Sequence, residues 1–221
     1  MGEIELWQVS LLVTPEQEQQ YATLLNADEI TRARRFHFAK HTRRFIVARA
    51  VLRILLSRYL QIPPAQIEFS YGEHGKPFLA DSDWQFNLSH SDEIAVYAFT
   101  RTASIGVDVE KIEAPFKDDV AQRFFSASEY ASLKELSGTT QECAFYRIWS
   151  RKEALVKALG SGLYISLSSF SVTLADQQTL TLESPTPWHI QSFNVDPDYE
   201  AAFATAQTIT KVSQQKFFHP D

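Results

Sequence analysis

The chain has 221 residues, enough for one large domain or two small ones with a sizeable core. Hydrophobic residues make up 44% and charged residues 22%, as in an ordinary water-soluble globule, and a net charge of −6 argues against nucleic acid as the main partner. No apolar run approaches the roughly 20 residues that cross a bilayer, no basic stretch followed by an apolar core marks a secretory leader, and the single cysteine, Cys143, excludes an internal disulfide. The expected setting is the cytoplasm, with no membrane partner.

In chain order the pattern is α+β. A strand is expected over residues 4–13. Thr14-Pro15-Glu16-Gln17 then starts a helix, with a hydroxyl cap, proline at the first position and glutamine at the third. Helices are expected over 28–38 and 41–59, the latter stopped by Ile62-Pro63-Pro64. Strands follow over 67–71, 84–89, 94–101 and 104–110. Two helices are read over 119–125 and 127–136, the second capped by Ser126 with Glu129 three residues on. Phe145, Ile148, Trp149, Lys152, Val156 and Leu159 recur at helical spacing, with Thr139 and Glu142 as a capping box and Gly160 as the stop. Strands over 169–174, 189–194 and 199–206 complete the chain. There is no low-complexity linker and no repeat, so periodicity alone gives an α+β protein of one or two lobes.

Two segments carry charge in a pattern that calls for chemistry. From Ser104 to Glu110 the residues alternate, with Ile105, Val107 and Val109 on one face and Gly106, Asp108 and Glu110 on the other. Gly106 leaves the acidic face open to a ligand's approach; the alternative is the solvated outer face of an edge strand. On the later helix, Glu153 and Lys157 stand at i,i+4 in the favourable order, which by itself is also the spacing of a surface salt bridge. Three carboxylates brought together repel unless a cation or a proton sits among them. Mg²⁺ takes oxygen ligands and leaves positions for substrate phosphates.

Arg32, Arg34, Arg35, Lys40, Arg43, Arg44, Arg49, Arg53 and Arg58 concentrate positive charge in an otherwise acidic chain. They fit either solvated helix faces or anion contacts; no nucleic-acid module accompanies them. His37 and His41 are i,i+4 but lack the HExxH pattern, so zinc is not expected.

Five stretches, in order, resemble the 4′-phosphopantetheinyl transferases, in particular the long, single-chain branch typified by the surfactin synthetase activator. They are Gly75-Lys76-Pro77, Phe86-Asn87-Leu88-Ser89-His90-Ser91, Gly106-Val107-Asp108-Val109-Glu110, Arg123-Phe124-Phe125-Ser126 through Glu129-Tyr130, and Trp149-Ser150-Arg151-Lys152-Glu153-Ala154-Leu155-Val156-Lys157. The resemblance runs from about Arg32 to about Tyr199. It implies two similar α+β halves related by a pseudo-twofold, residues 1–102 with the nucleotide contacts and 103–221 with metal binding and catalysis, and a site at their junction.

The same resemblance implies Mg²⁺, or Mn²⁺, on Asp108, Glu110 and Glu153, and coenzyme A as co-substrate against Arg32, Arg44, Lys76, Ser89, His90 and Lys152. Asp108, Glu153 and Lys157 become catalytic: Glu153, or a metal-bound water beside it, as base, and Lys157 against the charge on the transferred phosphate, with Lys152 either doing the same or packing its stem. The implied partner is an apo acyl or peptidyl carrier protein whose serine receives the phosphopantetheine arm, releasing adenosine 3′,5′-bisphosphate. The carrier docks near residues 160–167, unless Leu163, Tyr164, Ile165 and Leu167 rejoin the core. A monomer is implied, because one chain holds both halves. Relatives often carry a basic residue three positions before Arg32; here that place is Glu29, which puts one contact to the 3′-phosphate in doubt. The other readings are a non-catalytic coenzyme A or carrier-binding module and a carrier-independent nucleotide phosphohydrolase.

Overall fold

β1 (Glu3–Ser10) shows why the molecule is layered. Its even positions Ile4 and Leu6 and its odd positions Trp7 and Val9 are all buried, in two different apolar clusters. A strand apolar on both faces must be covered on both. The same holds for β5 (Ile94–Arg101), where Val96 and Ala98 face one way and Tyr97 and Phe99 the other. In this computed structural model, which describes residues 2–101, 103–160, 165–175, 177–182 and 187–220, the result is four layers: helix, sheet, sheet, helix.

The first half contributes α1 (Pro15–Ala22), α2 (Ala27–Ala33) and α3 (Ala39–Leu60), then the two-residue strands β2 (Ser70–Tyr71) and β3 (Pro77–Phe78), then β4 (Trp84–Ser91) and β5. The second half begins with β6 (Ile105–Lys111) and continues through α4 (Asp118–Phe124), α5 (Ala127–Lys134), α6 (Gly138–Leu159), β7 (Gln177–Thr181), β8 (Pro187–Ser192), β9 (Tyr199–Thr205) and β10 (Lys211–Phe217). One sheet has the order β10-β1-β5-β4 and the other β6-β9-β8-β7. β10 runs parallel to β1, with Ile4 opposite Val212; the second sheet is antiparallel throughout. A 22-residue helix, α3 or α6, thus lies on each four-stranded sheet, as expected of two similar α+β halves, except that the first sheet takes its edge strand β10 from residues 211–217 and so crosses the expected boundary at 102/103. Among the described residues no helix is long and apolar enough to cross a membrane.

The helix starts at Thr14 and Ser126 form as expected, each a full capping box. Other expectations fail for local reasons. α6 starts at Gly138 behind Ser137, so Thr139 and Glu142 make no capping box. α2 ends at Ala33, well short of 38. The strand expected over 169–174 does not form: Leu167–Ser169 is a 3₁₀ turn. Phe170 and Val172 are buried there, but the backbone bonds to side chains, not to a strand: Lys152 Nζ donates to Leu167 O and Phe170 O, and Val172 N to Glu129 Oε1. β7 and the largely exposed edge strand β10 had no expectation.

Candidate active site

The site begins where α6 lies on β6. A Cβ at Gly106 would stand 2.1 Å from Ala154 O and 2.3 Å from Ala158 N, so only glycine permits this contact. The space was expected to admit a ligand; the helix backbone fills it. Nor is the acidic face of β6 a solvated outer face, because Asp108 is 2% exposed.

This contact sets the last turns of α6 over Asp108. Lys157 Nζ donates to Asp108 Oδ1 (2.6 Å) and to Ser89 Oγ (2.9 Å), and Ser89 Oγ donates to the same Asp108 oxygen (2.8 Å). β4 and β6 are edges of different sheets, and side chains bind them together. Asn87, Ser89 and Ser91 alternate along β4, so all three point at β6. Asn87 Oδ1 accepts from Val107 N (2.8 Å), Ser91 Oγ donates to Glu110 Oε2 (3.0 Å), and Lys111 N donates to Ser91 Oγ (3.1 Å). Asp108, Glu110, Ser89 and Lys157 therefore meet at the seam of the two halves, with Glu153 one helical turn from Lys157.

Asp108 raises the pKa of the other two carboxylates. Burial pushes Asp108 up, against the pull of the Lys157 ammonium. Burial, then Asp108, pushes Glu110 up to about 7. Burial, then Asp108, raises Glu153, which makes no hydrogen bond among the described residues. Asp108 Oδ2 is buried without a hydrogen-bond partner among them. A bare buried carboxylate oxygen beside two further carboxylates is a donor set that suits a hard divalent cation. Among the described residues, however, no three His, Cys, Asp or Glu are already drawn together as a metal cluster, and the cation now on Asp108 is Lys157.

A cavity of about 280 Å³ opens beside this group, lined by His74, Lys76, Pro77, Leu88, Glu153 and Lys157. Lys76 belongs to its wall, but its ammonium donates to Ile105 O (2.9 Å) and Lys157 O (2.7 Å). His90 follows Ser89 and is exposed by surface area, but the packing around its ring and the nearby Lys157, Arg44 and His41 lower its pKa, which puts it in a cationic neighbourhood. Sequence spacing had weighed His41 only for zinc.

Lys152 is not at this site. It is 0% exposed, paired with Glu129 (2.8 Å), bonded to Leu167 O (2.7 Å) and Phe170 O (2.6 Å), and 4.4 Å from the Phe170 ring centroid. With its donors taken in the core of the second half, it cannot reach a phosphate at the seam.

The nine cations of the basic segment divide by partner. Arg49 and Arg53 pair with the buried Glu29 at 3.4 and 2.8 Å. Glu29 also accepts from Asn26 N in a capping box that the sequence reading missed. It is thus an inward-facing anchor of α2, not an acidic intruder among phosphate contacts. Arg44 bonds Glu93 (2.7 Å) and Asp92, Arg43 pairs with Glu93 (3.4 Å), and Arg58 stacks on Trp7 and Phe217. Arg34, Arg35 and Lys40 are exposed, as is Arg32, which lies over the Phe45 ring. Arg32 and Arg35 line a second cavity, of about 670 Å³, together with the acids Asp28 and Glu29 and with Thr31, Phe36 and Tyr71; Arg35 was one member of the basic segment and drew no separate expectation. In the segment expected to dock a partner, Leu163 and Tyr164 lie outside the described residues, Leu167 is buried in the core of the second half, and Ile165 packs against it.

Known proteins match along nearly the whole chain. Residues 104–204 match the family described as the 4′-phosphopantetheinyl transferase superfamily, and residues 12–102 match that described as 4′-phosphopantetheinyl transferase, N-terminal. The chain is 37% identical over 210 residues to the 4′-phosphopantetheinyl transferase HetI of Nostoc sp. (strain PCC 7120), covering 92% of this chain and 88% of that one. It is 33% identical over 213 residues to the 4′-phosphopantetheinyl transferase Sfp of Bacillus subtilis, covering 92% and 94%. The chain belongs to the 4′-phosphopantetheinyl transferases and is an enzyme of that class.

Proposed function

We propose that this enzyme transfers the 4′-phosphopantetheine arm of coenzyme A to a serine of an apo acyl or peptidyl carrier protein, with Mg²⁺ (or Mn²⁺ in its place), and releases adenosine 3′,5′-bisphosphate. One observation carries the reading: Lys157 and Ser89 both bond Asp108 at the seam of the two halves, where the Asp108 carboxylate raises the pKa of Glu110 and of Glu153. Asp108, Glu110 and Glu153 would hold the ion, and the bare Asp108 Oδ2 supports that choice. When bound, the ion would spread the charge of the pyrophosphate and hold it for in-line displacement.

The chain's own groups do the rest. Coenzyme A lies between the halves, 1–102 supplying nucleotide contacts and 103–221 the metal-binding and catalytic groups. Arg32, Arg44 and His90 face its phosphates, as planar guanidinium groups and an imidazole in cationic surroundings suit them. Arg44 does so with Asp92 and Glu93 holding its fork in place. Serine is a weak nucleophile until a base takes its proton. Glu153, half-buried with a raised pKa and no hydrogen bond among the described residues, is that base. The serine oxygen then bonds to the phosphorus attached to pantetheine, and the bond to the bisphosphate breaks. Lys157 neutralises charge on the transferred phosphate. One chain holds both halves, so the enzyme acts as a monomer.

The test is the intact mass of an apo carrier protein incubated with the enzyme, coenzyme A and Mg²⁺, beside an EDTA control and Glu153→Gln. A gain of one phosphopantetheine arm, lost in both controls, is expected. No gain on several unrelated carriers, despite coenzyme A binding, overturns the transfer reading. Release of free phosphopantetheine without a carrier would make the enzyme a hydrolase.

A further inference from the structure

Lys76 sits on the loop between β2 and β3, in the first half of the chain, yet its ammonium is bound to the second half. It donates to Ile105 O (2.9 Å), at the start of β6, and to Lys157 O (2.7 Å), in the last turn of α6. The last four carbonyls of a helix have no N–H partner within it, and they carry the negative end of its dipole. Gly160 N takes Val156 O as the helix stops; Lys76 takes the next carbonyl. Its two acceptors flank Gly106, where α6 rests directly on β6. The loop itself is pinned by Gly72 N donating to Lys76 O (3.0 Å) and by Gly75 at φ 75°, a conformation that glycine accepts without strain.

Lys157 is consequently held from the first half at both ends. Lys76 holds its main-chain carbonyl, and Ser89 accepts from its ammonium at 2.9 Å. We infer that Lys76 is a positioning residue for the transfer: it joins β6 to the last turn of α6 and so fixes Lys157 and Glu153 over Asp108. This rests on the function proposed above and replaces the coenzyme A contact expected from the sequence. Burial brings the Lys76 pKa down to about 8.

The experiment compares wild type, Lys76→Met and Lys76→Arg as full chains, measuring kcat, KM and Kd for coenzyme A, thermal melting, and the side-chain ammonium NMR signal of Lys157, assigned by its loss in Lys157→Arg. Lys76→Met is expected to lower kcat about 10- to 100-fold while KM for coenzyme A stays within about twofold. It should also move the Lys157 signal, and Lys76→Arg should restore most of the rate. A rise of about tenfold or more in KM and Kd for coenzyme A, with kcat kept, would make Lys76 a ligand contact. An unchanged kcat and an unmoved Lys157 signal would leave Lys76 without a role. Should Lys76→Met fail to fold, Lys76→Gln, whose amide still donates to one carbonyl, takes the same measurements. A wild type that transfers nothing sinks the transferase reading alone; the Lys157 signal still decides Lys76.

Discussion

Gly106 and Ala154 are in backbone contact: any Cβ on Gly106 would fall 2.1 Å from the Ala154 carbonyl oxygen. This contact sets the height of α6 above β6, and hence how Glu153 and Lys157 meet Asp108. Gly106→Ala must push the helix away, because the obstacle is main chain and cannot rotate aside. Overpacking of this kind costs about 1–3 kcal/mol, a fall of several degrees in Tm. A larger proportional loss of kcat should accompany it as Lys157 leaves Asp108. Melting and turnover on the same sample check this; full activity in a well-folded Gly106→Ala would mean that the helix height is not critical.

Ser89 is the only first-half side chain bonded to both Asp108 and Lys157 among the described residues. Ser89→Ala leaves both one partner short, the buried Asp108 at a cost of about 1–3 kcal/mol where its oxygen stays unsatisfied. A loss of about tenfold in kcat is expected, with little change in KM for coenzyme A. Unchanged turnover would separate Ser89 from the chemistry.

Glu110 titrates at about 7, above its unfolded value of 4.5, and Asp108 and Glu153 are also raised. A carboxylate whose folded pKa is raised opposes folding as pH rises from the unfolded value through the folded one. Stability without metal should therefore fall between about pH 4.5 and 7 from this source. Mg²⁺ competes with those protons, so its stabilisation should be small at pH 5.5 and large at pH 8. Melting curves with EDTA or Mg²⁺ at both pH values decide it; equal Mg²⁺ increments would show that these carboxylates do not hold the ion.

Lys152→Met should separate structure from chemistry. It leaves Glu129 buried without its cation, and breaking such a pair costs about 3–5 kcal/mol. A clear drop in Tm is expected, with coenzyme A affinity kept in the folded fraction. Weakened affinity at unchanged Tm would return Lys152 to the substrate.

Glu29→Lys would supply the basic residue found there in relatives, yet it is expected to destabilise the chain and to bring no gain in coenzyme A affinity. The new ammonium would be buried against Arg49 and Arg53, three cations with no acid among them. Tighter binding of coenzyme A than of its 3′-dephospho form, relative to wild type, would contradict the inward placement of Glu29.

The sequence by itself determined what is local. Alternation marked β6, caps marked the starts of α1 and α5, Gly160 marked the end of α6, and the residue types at Asp108, Glu110, Glu153 and Lys157 marked a charged cluster. Periodicity says which residues share a face, but not what that face meets. Only the tertiary structure decided that α6, and no ligand, covers Gly106. Only there do Asn87, Ser89 and Ser91 bind one sheet's edge to the other. Lys152 and Glu153 are neighbours in sequence, but a turn of about 100° per residue sends one into the core onto Glu129 and leaves the other at the seam. Glu29 shows the same limit: its charge was legible, but the two arginines that bury it lie 20 and 24 residues away, beyond any local pattern.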